Sequence, residues 1–256
     1  MLLRDQAFLI IFNIAFLIPT SHANKDLPFV PGERLEYDLS WGLIPVGSAF
    51  MEVGPRNLDS QEPWVINFSV KTNKFADKIY KVRTNVRSWI NSDFTHSLKY
   101  MKSQQEGKTR KEIKVEYDYK KKIVRYSENN LDPRVLPLGK KVYDPLAIAF
   151  AYRTFPTDAG KTKILPTCDG KKFLDVRVNV GKRELVKVPF GVFRGNDVTP
   201  DIKDLSGVFK KSPKGILRVW YSSDNRRLPL KISSKVVVGS FTAKLKNGSN
   251  LQQKLN

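Results

Sequence analysis

The chain has 256 residues, 41% of them hydrophobic, and carries 45 Lys and Arg against 25 Asp and Glu, a formal net charge of +20. That length holds one large all-β domain or two small ones. Two histidines and one cysteine exclude an intrachain disulfide and any Cys/His zinc cluster.

In chain order, Met1 to Gln6 carries Arg4 and Asp5, and Ala7 to Ile18 is an almost unbroken apolar run. Ser21-His22-Ala23 puts small residues at an A-x-A-like processing site. Residues 1–23 therefore read as a secretory signal cleaved after Ala23, against the competing reading of a retained anchor, for which the run is short. Cleavage removes Arg4, Asp5 and His22, so the charge is unchanged and His96 is the one remaining imidazole. No cysteine starts the mature segment, so no lipid anchor is expected, and no later run is long enough to span a membrane. Residues 24–256 read as a single β-rich domain with halves 29–127 and 162–245, joined by a loop and helix over 128–161.

Phe29 to Val53 has the cleanest period-two pattern. Leu35, Tyr37, Leu39 and Trp41 fall on one side, with Glu36, Asp38 and Ser40 on the other. Gly42, Pro45 and Gly47 bend the chain and Ala49, Met51 and Val53 resume the apolar face, which predicts a hairpin. Pro55 to Pro63 reads as a loop. Alternating strands are then expected at Trp64–Val70, Tyr80–Ser88, Phe94–Gln105, Lys111–Tyr119 and Ile123–Tyr126, an antiparallel meander.

Asn129 to Lys141 is rich in Pro, Gly and basic residues and predicts a long loop. Asp144-Pro145 opens a helix to Phe155, with Asp144 as N-cap and Pro145 at its first position. That helix, about 144–155, is apolar nearly all round and must be buried. Strands are expected again at Lys163–Cys168, Phe173–Val180, a Gly181-Lys182 turn, Glu184–Val188, an extended Pro189–Thr199, Gly215–Ser222, Leu228–Val238 and Ser240–Leu245. Pro200 to Gly207 reads as a loop, and the tail from Lys246 as frayed.

One short helix cannot cover about ten strands, so the sheet is expected to curl on itself. The fold class is all-β and mainly antiparallel: a curled sheet or partly open barrel with one central buried helix. Glycines Gly47, Gly191 and Gly239 give it places to bend. The competing architecture is two packed sheets with the helix at one edge.

Phe29-x-Pro31-Gly32-Glu33-x-Leu35-x-Tyr37-x-Leu39-x-Trp41-Gly42 with Val46-Gly47-Ser48-Ala49 forms one signature. Val219-Trp220-Tyr221-Ser222-Ser223-Asp224, Arg227-Leu228-Pro229-Leu230, Ser234-Lys235 and Val238-Gly239-Ser240-Phe241 form another, with Asp144-Pro145-Leu146 between them. Together these resemble the exported bacterial family catalogued as domain of unknown function 3108. Arg56 to Lys141 matches in pattern only. The resemblance implies export to the bacterial envelope and a mainly β fold. It carries no activity and no catalytic residues.

The remaining chemistry is sparse. His96 and Cys168 lack activating neighbours in sequence, and half-burial and burial are expected for them. No calcium-type Asp/Glu run is present, so no catalytic residue, metal or cofactor is expected. The candidate ligand-binding residues are Glu33, Tyr37, Trp41, Trp220, Tyr221 and Asp224, carboxylates beside aromatics within the two signatures. A basic exported protein attracts anionic lipid or acidic polysaccharide, not nucleic acid, because its basic residues are spread along strands. The bland alternative is a solvated basic surface with no dedicated ligand. The leading expectation is a non-enzymatic envelope protein binding a lipid-like or anionic glycan component. The alternatives are a polysaccharide-acting envelope enzyme and an assembly factor with a protein partner.

Overall fold

Strict alternation makes each strand of this chain a ribbon with one apolar face, and such ribbons must share a core. In the computed structural model, described for residues 27–57, 60–156, 158–201, 217–235 and 239–253, they do so in one sheet. The first half contributes β1 (Arg34–Trp41), β2 (Ile44–Val53), β3 (Trp64–Thr72), β4 (Val82–Ile90), β5 (Ser97–Glu106), β6 (Thr109–Asp118), β7 (Ile123–Glu128) and β8 (Arg134–Pro137). The second contributes β9 (Thr162–Cys168), β10 (Phe173–Val188), β11 (Gly191–Pro200), β12 (Leu217–Ser222), β13 (Pro229–Lys235) and β14 (Ser240–Ser249). A one-turn helix α1 (Lys74–Asp77) follows β3, and α2 (Ala147–Arg153) joins the halves.

The 14-stranded sheet runs β8-β7-β6-β5-β4-β3-β2-β1-β14-β13-β12-β11-β10-β9. The chain starts at the middle, walks to one edge, crosses by way of α2 to the other edge and walks back. The edges β8 and β9 do not pair with each other, so the curl is not a closed barrel. Side chains and one strap hold it. Tyr117 Oη donates to the Cys168 carbonyl at 2.6 Å, and Lys171 reaches Glu128 at 3.0 Å. The strap is Val142–Asp144: Ser97 N donates to Val142 O at 2.9 Å, while Tyr143 exchanges 2.9 Å bonds with Pro166 and Cys168 of β9. The expected curled sheet is the architecture found, not two separate packed sheets.

Several elements depart from the sequence pattern. Gly181-Lys182 is not a turn: β10 runs unbroken through it, with a register shift between Val180 and Arg183. A bulge absorbs the extra residues that the pattern read as a reversal. The tail from Lys246 is not frayed, because Glu36, Leu35 and Arg34 pair with Asn247, Gly248 and Ser249. The loop 129–141 contains β8 at the sheet edge, and α1 had no apolar periodicity to announce it. Phe94, at φ 54°, and His96 belong to the loop before β5 rather than to a strand. Trp41 leaves the core side of β1 after a register shift between Leu39 and Ser40 and is exposed at the hairpin tip. Gly47 does serve close approach, since a Cβ there would sit 2.2 Å from the Lys71 carbonyl. Residues 1–23, most of the loop from Pro200, and the end of the strand at 236–238 lie outside the described residues.

Candidate functional site

Helix α2 is set by its own capping carboxylate. Asp144 Oδ1 accepts from Leu146 N at 2.8 Å and Ala147 N at 2.9 Å, so the predicted cap works although the regular helix begins at Ala147. Its Oδ2 accepts from Ser88 Oγ on β4 at 2.5 Å and Ser97 Oγ on β5 at 2.6 Å. Burial raises the Asp144 pKa, and these four donors act in the opposite direction. The other end is held by Arg153, whose buried guanidinium pairs with both oxygens of Glu33 at 2.6 and 3.0 Å. It also donates to the carbonyls of Pro28 and Arg226. Arg227 returns a 2.8 Å bond to the Arg153 carbonyl.

So tethered, α2 lies across the concave face without filling it. A cavity of about 220 Å³ remains between the helix and the two arms of the sheet. Ile148 and Ala149 of α2, Met51, Phe68 and Val86 of β2–β4, and Val198 and Val219 of β11 and β12 make its apolar wall. Engineered apolar cavities of about 150 Å³ stay dry and take up benzene, so this space suits an apolar guest.

Three polar groups break the lining or adjoin it. Lys102 is 5% exposed and lines the cavity. It sits in the inner row of register partners Met51, Phe68, Val86 and Lys102. Among the described residues its ammonium has no hydrogen-bond or ion-pair partner, and burial lowers its pKa. Tyr152 lines the opposite side from α2, and its buried hydroxyl has no hydrogen-bond partner among the described residues. Its ring lies 4.7 Å from that of Tyr221, and burial raises its pKa. The Thr84 hydroxyl, two residues from Val86 on the same face, is likewise buried and unpartnered among the described residues.

The six residues singled out in the sequence do not form one site. Glu33 is bound to Arg153, and Asp224 to Arg226 at 2.6 Å and Ser222 at 2.8 Å, so guanidinium groups occupy both carboxylates. Tyr37 is buried and donates to Pro229 O at 2.9 Å. Trp220 turns away from the cavity, its indole donating to Glu184 at 2.5 Å under the cations of Arg218 and Lys231. Trp41 stacks on Phe241 at the hairpin tip, 6.5 Å between centroids. Tyr221 alone of the six lines the cavity, and it donates to Ala149 O at 3.3 Å. Lys102, Thr84 and Tyr152 were missed. The available signal was a lysine at the inward position of an alternating strand, Tyr100-x-Lys102.

Cys168 is buried, with its thiol pushed up to about 11 chiefly by burial. His96 packs edge-on against Tyr119 at 4.4 Å, and burial and Lys141 lower its pKa. His96 Nδ1 meets the Thr95 hydroxyl at 3.0 Å on the loop before β5, and the Cys168 sulfur accepts from Gly170 N at 3.4 Å. On the outer face of β2–β6 lies a shallow groove of about 430 Å³ that includes Phe50, Asn67, Arg87 and Trp89.

Fold and cavity together define a β-barrel-like protein whose curled sheet holds a small, partly open apolar chamber. The chain belongs to the family described as protein of unknown function (DUF3108), whose model matches residues 36–246. Its fold is similar to the crystal structure of a β-barrel-like protein of domain of unknown function DUF1849 from Brucella abortus. That likeness has a TM-score of 0.58 at 13% identity and covers 88% of this chain and 99% of the other. No curated protein matches the chain in sequence.

Proposed function

We propose that this protein is exported to the cell envelope and acts there as a non-enzymatic carrier or sensor of a lipid-like anion. The ligand is an acyl chain ending in a carboxylate or phosphate. The observation that carries this reading is Lys102, an unpartnered ammonium facing an apolar chamber. Keeping a lysine charged beside an apolar chamber is costly, and a bound anion would offset that cost while its chain fills the apolar space. Each methylene taken from water adds about 0.8 kcal/mol. The apolar run before Ala23 supports export.

The test is native mass spectrometry of protein isolated from envelopes without detergent, with displacement of a fluorescent fatty acid as a second readout. A co-purifying acyl anion that Lys102→Met no longer retains is the expected result. An empty cavity and no displacement at micromolar fatty acid would sink the proposal. Fractionation, with a mature N-terminus at Asn24, checks export.

The acidic-polysaccharide reading rests on a different place, the outer groove. There Arg87 and Lys99 lie 5.8 and 5.1 Å from the Trp89 ring, an aromatic platform with cations beside it. Trp89→Ala should then abolish retention on an acidic-glycan column while leaving fatty-acid displacement intact. For a glycosidase reading the two signature carboxylates offer little, since Arg153 and Arg226 hold them.

A further inference from the structure

One end of the curled sheet carries large apolar side chains in water. At the β1–β2 turn Leu43 is 98% exposed and Ile44 is 46% exposed. Beside it, the α1 segment exposes Phe75, Ile79 (70% exposed) and Tyr80. The two are joined by geometry: Asn73 N donates to Val46 O, and its Nδ2 to Pro45 O, both at 2.8 Å. The patch extends on one side through the Trp41–Phe241 stack. On the other side, a Cβ at Gly107 in the β5–β6 turn would lie 3.0 Å from the Tyr80 ring.

The charges interleaved with these side chains are mostly basic. Lys74, Lys78, Lys81, Lys108 and Arg110 are all exposed. Asp77, the acid within the α1 segment, is bound to Arg83 at 2.5 Å and to Thr72. Apolar tips a few residues long, set among lysines, match the headgroup boundary of an anionic bilayer. The tips enter the acyl region and the ammonium groups meet lipid phosphates. A flat protein interface would instead bury a continuous apolar core with charges depleted from it.

The same end is the one toward which the Lys102 side of the chamber is stepped along β4 and β5. Lys102 is four residues from the β5 terminus at Glu106, a rise of roughly 13 Å along the strand. The unpartnered Thr84 hydroxyl stands one inner-face position nearer the tips, where it pairs in register with Gln104.

We infer that this end is a membrane-docking surface for an anionic bilayer, through which the amphiphile of the proposed cavity is exchanged. The inference rests on the cavity reading for its cargo but on the tips alone for its docking. The test is co-flotation of the whole protein with vesicles of phosphatidylglycerol and phosphatidylethanolamine, and with phosphatidylcholine vesicles. Wild-type protein should float with the anionic vesicles and lose several-fold of that binding at 0.5 M salt, because surface attraction is screened (Debye length about 3 Å at 1 M).

Leu43→Glu with Ile79→Glu should reduce flotation at least tenfold. Leu185→Glu and Val192→Glu together, on exposed positions of the β10–β11 hairpin, provide a control matched in charge that should leave flotation unchanged. Equal loss in both pairs, or no flotation by wild type, overturns the inference. So does a protein cross-linked at Leu43 in intact envelopes while vesicles go unbound. Displacement of monomeric fluorescent fatty acid by the tip variants separates the two claims. Retained displacement with no flotation of wild type removes docking alone, and flotation without displacement removes the cavity reading alone.

Discussion

Tyr152→Phe should make the ligand-free protein more stable. The Tyr152 hydroxyl is buried against an apolar chamber and has no hydrogen-bond partner among the described residues. Leaving such a group unsatisfied costs about 1–3 kcal/mol, and phenylalanine keeps the ring while removing the orphan oxygen. The ring contact with Tyr221 at 4.7 Å is untouched. A gain of about 1 kcal/mol raises Tm by roughly 2–4 °C in a domain of this size. Tyr221→Phe provides the opposite sign from the same ring pair, because its hydroxyl donates to Ala149 O at 3.3 Å. Losing that bond should cost about 0.5–1.5 kcal/mol. The assay is urea and thermal unfolding of delipidated protein, with both variants measured beside wild type. If Tyr152→Phe unfolds at a lower denaturant concentration than wild type, the hydroxyl has a partner, and the chamber is not the dry apolar space argued for.

Lys102→Met should likewise stabilise the empty protein while weakening a fatty-acid probe at least tenfold, read by displacement; equal affinity would place the anion elsewhere. Burial lowers the Lys102 pKa, so an anion binds fully only below that lowered value. Above it binding must take up a proton, and affinity should fall as pH rises, a slope that Lys102→Met abolishes. Arg153→Met strands the buried Glu33 carboxylate and should cost about 3–5 kcal/mol, with a smaller penalty once Glu33→Gln is added, measured as a double-mutant cycle in urea. Lys111, Tyr126 and Lys171 hold the Glu128 carboxyl down to about 2. Its folded pKa lies below its unfolded one, so its contribution is complete above about pH 4.5 and is lost as pH falls toward 2. Glu128→Gln should flatten the stability profile in that window.

What the sequence disclosed follows from what each signal encodes. Period-two alternation reports which face is buried, so β1, β2 and the meander were legible from Leu35, Tyr37 and Ala49 onward. Asp144-Pro145 before an apolar run disclosed α2, because a cap is a local bond. Register is not local. The bulge in β10 at Val180–Arg183 and the pairing of Asn247–Ser249 with β1 depend on partners more than a dozen residues away. The site failed to read for a related reason. Aromatics and carboxylates drew attention to Glu33, Trp220 and Asp224, yet Glu33 and Trp220 are filled by the distant Arg153 and Glu184, and Asp224 by Arg226 two residues on. Lys102 gave no signal beyond its parity, since only the fold shows that it is buried beside the chamber with no ion pair among the described residues, Glu106 acting on it without pairing.

The distribution of filled and unfilled valences divides the labour within the chain. Glu33 in the first signature, Arg153 of α2, Arg227 and Pro229 in the last signature, and Arg226 just before them converge on one knot. Tyr37 adds its bond to Pro229. Every polar atom in that knot named here is spent on another, so it can fix the helix over the sheet but offers nothing to a ligand. Among the described residues, the unspent groups at or beside the chamber are Lys102 and Thr84, in the stretch that resembles the family in pattern only, and Tyr152 on the chamber side of the helix. Substitutions in the knot should therefore change stability and leave ligand preference alone. Substitutions at Lys102 and Tyr152 should change preference while the fold stands. A ligand profile altered by Arg153→Met at a temperature where the variant is folded would mean that the helix itself moves with binding.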